Sequence, residues 1–167
     1  MSRIDDLRLL LGEIERYRSV SSRIDDAITQ LLEHDVPALG RNSTTAMAAA
    51  GLIETAYTSV ETVLFRIAQS FGNNLSRSRW HTDLLSRMVT PIPGLRPAVI
   101  SEQTRSMLDE LMRFRHFNRY YFSFDYDWNR LSHLFEVRAR TSKTLEIEID
   151  TFRSFVQSLI DELDRPQ

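Results

Sequence analysis

The chain has 167 residues, 42% of them hydrophobic and 26% charged, enough for one globular core and short for two, so residues 1–167 are read as a single domain. Its formal charge of −2 excludes a uniformly basic nucleic-acid coat and a polyacidic tail, and the absence of cysteine excludes disulfide scaffolds, thiolate zinc sites and cysteine nucleophiles. About 18 apolar residues never follow one another, and Met1 to Gly12 carries Asp5 and Asp6 without a signal-like apolar run, so a cytoplasmic protein without membrane attachment is expected.

Apolar residues at Ile4, Leu7, Leu11, Ile14, Tyr17, Ile24, Ile28 and Leu31 recur at intervals of three and four, which predicts an amphipathic helix from Arg3 to His34 ended by Pro37 and Gly40. Ser43 or Thr44 then caps a second helix through Ala46, Ile53, Tyr57, Val60, Leu64 and Phe71, closed by Gly72, Asn73 and Asn74. The small residues of its first half, TTAMAAAGLIETA, suit a helix crossing or a subunit contact, or equally a solvent-facing turn. A short helix from Arg79 to Met88 stops at Pro91, and the Pro-rich segment TPIPGLRPAVI reads as an ordered loop. Ser101 caps a fourth helix whose stripe runs through Met107, Leu108, Leu111, Phe114, Phe117 and Tyr121, with Phe114, Phe117 and Tyr121 expected to fill the core. Asp127 starts the last helix, which is either continuous for about 36 residues or broken near Thr141, where the apolar signal thins. With no useful period-2 pattern, these elements make an all-α, up-and-down bundle of four to five helices with long first and last members. Helices of that length exceed what so small a core needs, and a homodimer is expected.

Eight of the sixteen aromatics lie between Phe114 and Trp128. From Arg77 to Arg119 the net charge is +4, against −6 elsewhere, and of 21 basic residues only Lys143 is not arginine. On the fourth helix Arg115, Asn118, Arg119 and Phe122 share one face, and Arg113, His116 and Tyr120 form an adjacent line. Guanidinium groups beside aromatic rings suit phosphate contact with base stacking, so Arg113, Asn118 and Arg119 are candidate RNA-binding residues; the alternative is a solvated face paired to acids. No histidine or carboxylate grouping has metal-ligand spacing, and neither a Gly-rich phosphate loop nor a Ser-His-Asp pattern is present, so no cofactor or metal is expected.

The stretches YTSVETVLFRIAQSFGNNLSRSRWHTDLLSRM and GLRPAVISEQTRSMLDELMRFRHFNRYYFSFDYDWNRL resemble the HepT-like branch of the HEPN superfamily, over about residues 46–135. That resemblance implies a dimeric helical bundle, an endoribonuclease toxin, and a partner of the minimal nucleotidyltransferase (MNT) type that can AMPylate a tyrosine of the toxin. The family motif is Arg, four residues, His, any residue, Tyr. Here Arg115 fills the arginine place, while Tyr120 replaces the histidine and Phe122 the tyrosine. A phenol titrating near 10 is a poor base at neutral pH, whereas a histidine near about 6.5 serves both proton steps of RNA cleavage. Phe122 has no hydroxyl to modify, which leaves Tyr120 and Tyr121 as modification candidates.

His116, one helical turn before Tyr120, is the rescue candidate for catalysis with Arg115 and Tyr120; His34, His81 and His133 rank below it, His81 being assigned to packing or capping. Three readings follow. The first is a HepT-like component of a toxin-antitoxin pair with a nucleotidyltransferase, keeping an RNA-contacting basic groove but a degraded ribonuclease motif. The second is an active metal-independent endoribonuclease using His116 or Tyr120. The third is a helical module that presents a non-RNA substrate to a nucleotidyltransferase.

Overall fold

The computed structural model describes residues 2–72, 80–120 and 125–165, the side chains of Thr82 and Tyr120 excepted. Helix α1 spans Arg3–Gln30, and a π-helical turn, Leu31–Asp35, leads into the short α2, Val36–Leu39. Helix α3 covers Ser43–Ser70, α4 Trp80–Val89, α5 Glu102–Tyr120 and α6 Trp128–Leu163. Among the described residues there is no strand, only an isolated bridge between Ile92 and Arg96. The all-α expectation holds.

Four long helices form a ring in the order α1, α3, α5, α6, with α4 laid against α3 and α5. Side chains at the helix ends give the directions. Arg3 at the start of α1 reaches the Ser70 carbonyl at the end of α3, and Arg8 reaches Asp164 just past α6. Arg119 at the end of α5 meets Glu54 in the first half of α3, and His133 near the start of α6 meets Glu110 on α5. Every neighbouring pair in the ring is therefore antiparallel, which is the up-and-down arrangement.

Several boundaries differ from the sequence reading, each for a local reason. Pro37 does not end the first helix. The backbone widens so that the Val36 N–H reaches the Leu31 carbonyl, five residues back, and such a turn gives the pyrrolidine ring room that a regular α-turn lacks. The chain stays helical to Leu39 and stops at Gly40, whose φ of 82° is the left-handed conformation that ends a helix readily. Asn42, not Ser43 or Thr44, caps α3: its Oδ1 accepts from the Thr45 N–H at 3.0 Å while Thr45 Oγ1 accepts from the Asn42 N–H at 3.1 Å. The third helix begins at Trp80, and Arg79 lies outside the described residues. Helix α6 is continuous: Thr141 is buried and its hydroxyl donates to the Val137 carbonyl at 2.7 Å, so the polar side chain is satisfied inside the helix.

Helix α3 is the best-buried element, with Ala46, Ala49, Ala50, Ile53, Tyr57, Val60, Val63, Leu64 and Ile67 all in the core. The alanine-rich half is thus a helix crossing within one chain, where small side chains admit close approach. Phe114 is buried as expected, whereas Phe117 is 37% exposed. The core stripe of α5 runs through Thr104, Leu108, Leu111 and Arg115, and Phe117 falls off it, covered on one side by the Arg130 guanidinium 5.2 Å from its ring. The proposed core place of Tyr121 lies outside the described residues.

Candidate functional site

Glu61 and Arg115 occupy positions where each helix is otherwise apolar. Glu61 follows Tyr57 by four and precedes Leu64 by three on α3, and Arg115 follows Leu108 and Leu111 by seven and four on α5, so helical spacing drives both charges into the bundle. Their side chains are each only 5% exposed. They meet as a bidentate pair, Arg115 Nη1 donating to Glu61 Oε2 at 2.6 Å and Nη2 to Oε1 at 3.0 Å. Arg115 also donates to Thr58 Oγ1 at 3.3 Å and lies 4.7 Å from the centre of the Tyr57 ring. Burial, reinforced by the neighbouring Glu61 carboxylate, pushes the Tyr57 phenol above its ordinary range, so it stays neutral beside the pair.

A third member comes from α4. His81 Nδ1 bonds Glu61 Oε1 and sits 3.2 Å from Arg115 Nη2. The imidazole packs on the Trp80 ring at a centroid distance of 3.7 Å, and Trp80 in turn meets Phe65 edge-on at 5.3 Å. Unlike its two partners, His81 remains 39% exposed. The sequence reading missed Glu61 and ranked His81 low. The available signal was a carboxylate at a core position of α3 and an arginine at a core position of α5, two buried charges that require one another.

The other candidates separate from this cluster. Toward the end of α5, Asn118 donates to Glu54 Oε2 at 3.0 Å and Arg119 Nε to Glu54 Oε1 at 2.9 Å, while the Tyr126 hydroxyl donates to Asn118 Oδ1. Arg113 is 77% exposed and paired at 2.6 Å with Asp109, one turn earlier on the same helix. His116 is on the exposed side of α5, away from the buried stripe that holds Arg115. The Tyr120 side chain and Tyr121 lie outside the described residues, as does Phe122.

The charge division seen in the sequence is offset in part, Arg77 and Arg79 lying outside the described residues. Arg115 and Arg119 of the basic middle pair with Glu61 and Glu54 of the acidic remainder. Arg105 and Arg113 pair within the segment. Arg96, buried, donates to the carbonyls of Arg87, Thr90 and Pro97, binding the Pro-rich loop to the end of α4, and burial lowers its pKa. Among the described residues no group of three or more histidines and carboxylates is placed to hold a metal ion, and no helix is long and apolar enough to cross a membrane.

A family model described as HepT-like protein matches residues 48–156, which extends the resemblance read from the sequence across most of α6. No curated protein and no solved structure matches the chain.

Proposed function

Because the chain belongs to the HepT-like protein family, we propose that it is the HEPN-type component of a toxin-antitoxin pair, working as a cytoplasmic homodimer with a minimal nucleotidyltransferase, and that its family ribonuclease motif no longer cleaves RNA. The observation that carries this reading is the state of Arg115. A guanidinium that stabilises a phosphorane must present its N–H groups to the substrate, and those of Arg115 are directed at Glu61 inside the bundle. Drawing Arg115 out would strand the Glu61 carboxylate in the core. The motif histidine is replaced by Tyr120, and its tyrosine by Phe122. The α5 groups that would meet RNA are the exposed Arg113 and Arg119, on different faces of the helix and both already paired to carboxylates.

Homodimerisation is supported by the length of α6, 36 residues or about 54 Å at 1.5 Å per residue, and by the exposed Leu9, Ile147 and Leu163 on α1 and α6. Affinity purification of the chain with a minimal nucleotidyltransferase, with and without ribonuclease treatment, tests the pairing. The complex is expected to survive the treatment. A complex that falls apart when RNA is digested would replace the pairing with independent binding to RNA.

A further inference from the structure

Away from the Glu61, Arg115 and His81 cluster, the seam between α1 and α6 holds a cleft that the proposed function does not use. Along α1 the buried stripe runs through Leu7, Leu10, Ile14 and Tyr17, and Ser21 takes the next inward place, with Ser22 beside it, before Ile24 restores the apolar face. Ser142 of α6 lines the same space, between the buried Thr141 and Leu145. Small side chains on both helices leave a cleft of about 230 Å³ floored by the buried Tyr17 and Ile149. Tyr17, Ser21 and Ser142 also wall a void of about 20 Å³ in the bundle centre, which is room for one water and nothing larger.

The polar groups of this cleft are unequally spent. Arg18 is held by Glu15 at 3.7 Å and by Asp150 at 3.5 Å, and Arg138 is held by Asp25 Oδ1. Glu146 has no partner among the described residues, and neither has Asp25 Oδ2. Burial chiefly, with the Glu146 carboxylate adding to it, holds the Tyr17 phenol up at about 12, so that carboxylate acts toward the cleft. Thr141, Thr144, Thr151 and Ser154 spend their hydroxyl protons on the carbonyl one turn back. Ser22 and Ser142 make no such bond among the described residues, which leaves their oxygens open to a ligand.

Unspent negative charge and hydroxyl oxygens above an apolar floor select the ligand. An anion would meet the unpaired Glu146. A metal ion needs several oxygen or nitrogen ligands in one place, and no group of three or more histidines and carboxylates is so placed among the described residues. An ammonium pairs with a carboxylate and donates to hydroxyls, and an alkyl chain suits the Tyr17 ring and Ile149. Position sets the length. Measured from the Arg18 and Asp150 pair, Glu146 is four residues back along α6 and Asp25 seven residues on along the antiparallel α1, about 6 and 10 Å in the same direction at 1.5 Å per residue. The two carboxylates therefore stand about one turn apart on opposite walls, a span that a chain of about four carbons covers with an ammonium at each end. We propose that the cleft between α1 and α6 binds an aliphatic diamine, with one ammonium on Glu146, the other on Asp25 Oδ2, and Ser22 and Ser142 accepting further N–H groups.

Titration calorimetry of the full-length chain with 1,4-diaminobutane, at physiological ionic strength, tests the site. The expected result is saturable binding of one ligand per chain. Glu146→Gln should weaken it about tenfold or more, since a charge-assisted hydrogen bond is lost. Ser22→Leu, on the exposed rim, should block the cleft and remove binding, with circular dichroism unchanged in both variants. Butylamine, which has the same chain and a single ammonium, should bind about tenfold or more weakly than the diamine. Glu162→Gln, an exposed acid near the end of α6, should leave binding unchanged, which separates the cleft from general attraction of a dication to carboxylates. No saturable binding to the wild type, equal binding by Glu146→Gln, an equal loss in Glu162→Gln, or butylamine binding as tightly as the diamine would each overturn the inference.

Discussion

The same ion pair is built twice between α3 and α5, and the two copies differ in depth. Glu61 and Arg115 are sealed in the bundle, whereas Glu54 and Arg119, seven and four residues away on their helices, sit at its edge. Spacings of seven and four keep both pairs on nearly the same helix faces, so the difference is one of position along the bundle: Arg119 is in the last turn of α5, and Glu54 meets it two turns before Glu61 on α3. Coulomb attraction is similar in kind at both places, yet water screens the outer pair and leaves the inner one no substitute partner. On the function proposed above the inner arginine holds the core, and of the two it is the outer one that can exchange its carboxylate for a phosphate.

The largest effect should come from separating the inner pair. Glu61→Ala leaves a buried guanidinium unpaired and is expected to cost about 3–5 kcal/mol in urea unfolding. Replacing both partners together, Glu61→Leu with Arg115→Met, should restore much of that loss, because two apolar side chains of similar volume need no partners. If the single variant unfolds like the wild type, the inner pair has no special standing and the comparison fails.

Raising the pH probes the same depth. Burial, chiefly, holds Tyr17 up at about 12 and Tyr57 higher still. An acid whose folded pKa is raised contributes stability that is full below its unfolded pKa, about 10 for a phenol, and lost as pH climbs through the folded value. Tyrosinate absorbance should accordingly show Tyr17 and Tyr57 silent near the ordinary phenol value, with Tyr57 appearing only as the protein unfolds. Ionisation of Tyr17 and Tyr57 near the ordinary value, in a still folded protein, would contradict the burial of this region.

The outer pair should be worth least. Arg119→Ala is expected to change stability by about 1 kcal/mol or less, with an effect that fades in salt. If RNA binds, that substitution should also flatten the salt dependence of binding. A change as large as that of Glu61→Ala would erase the distinction between the two pairs.

How much of this was legible in the sequence depended on range. The spacing of Leu7, Ile14 and Tyr17, of Ile53, Tyr57, Val60 and Leu64, and of Leu108 and Leu111 is local, and it placed the helices and their buried faces correctly. Boundaries failed where local competition decided them. Asn42 took the cap from Ser43 and Thr44 through its reciprocal bonds with Thr45, and the π-turn carried the chain past Pro37. The site was harder, because Glu61 and Arg115 are 54 positions apart and His81 is a further long-range partner. Charge arithmetic by segment set Arg115 and Arg119 apart from the carboxylates they bind. Sequence spacing also favoured His116 over His81, since it reports neighbours on one helix and says nothing of what a different helix brings to Arg115.

A ribonuclease assay with the purified chain on total RNA, comparing wild type with His116→Ala and Tyr120→Phe, tests the central claim most directly. The account predicts no cleavage above background in any of the three proteins; sustained wild-type turnover that disappears in either variant would contradict it.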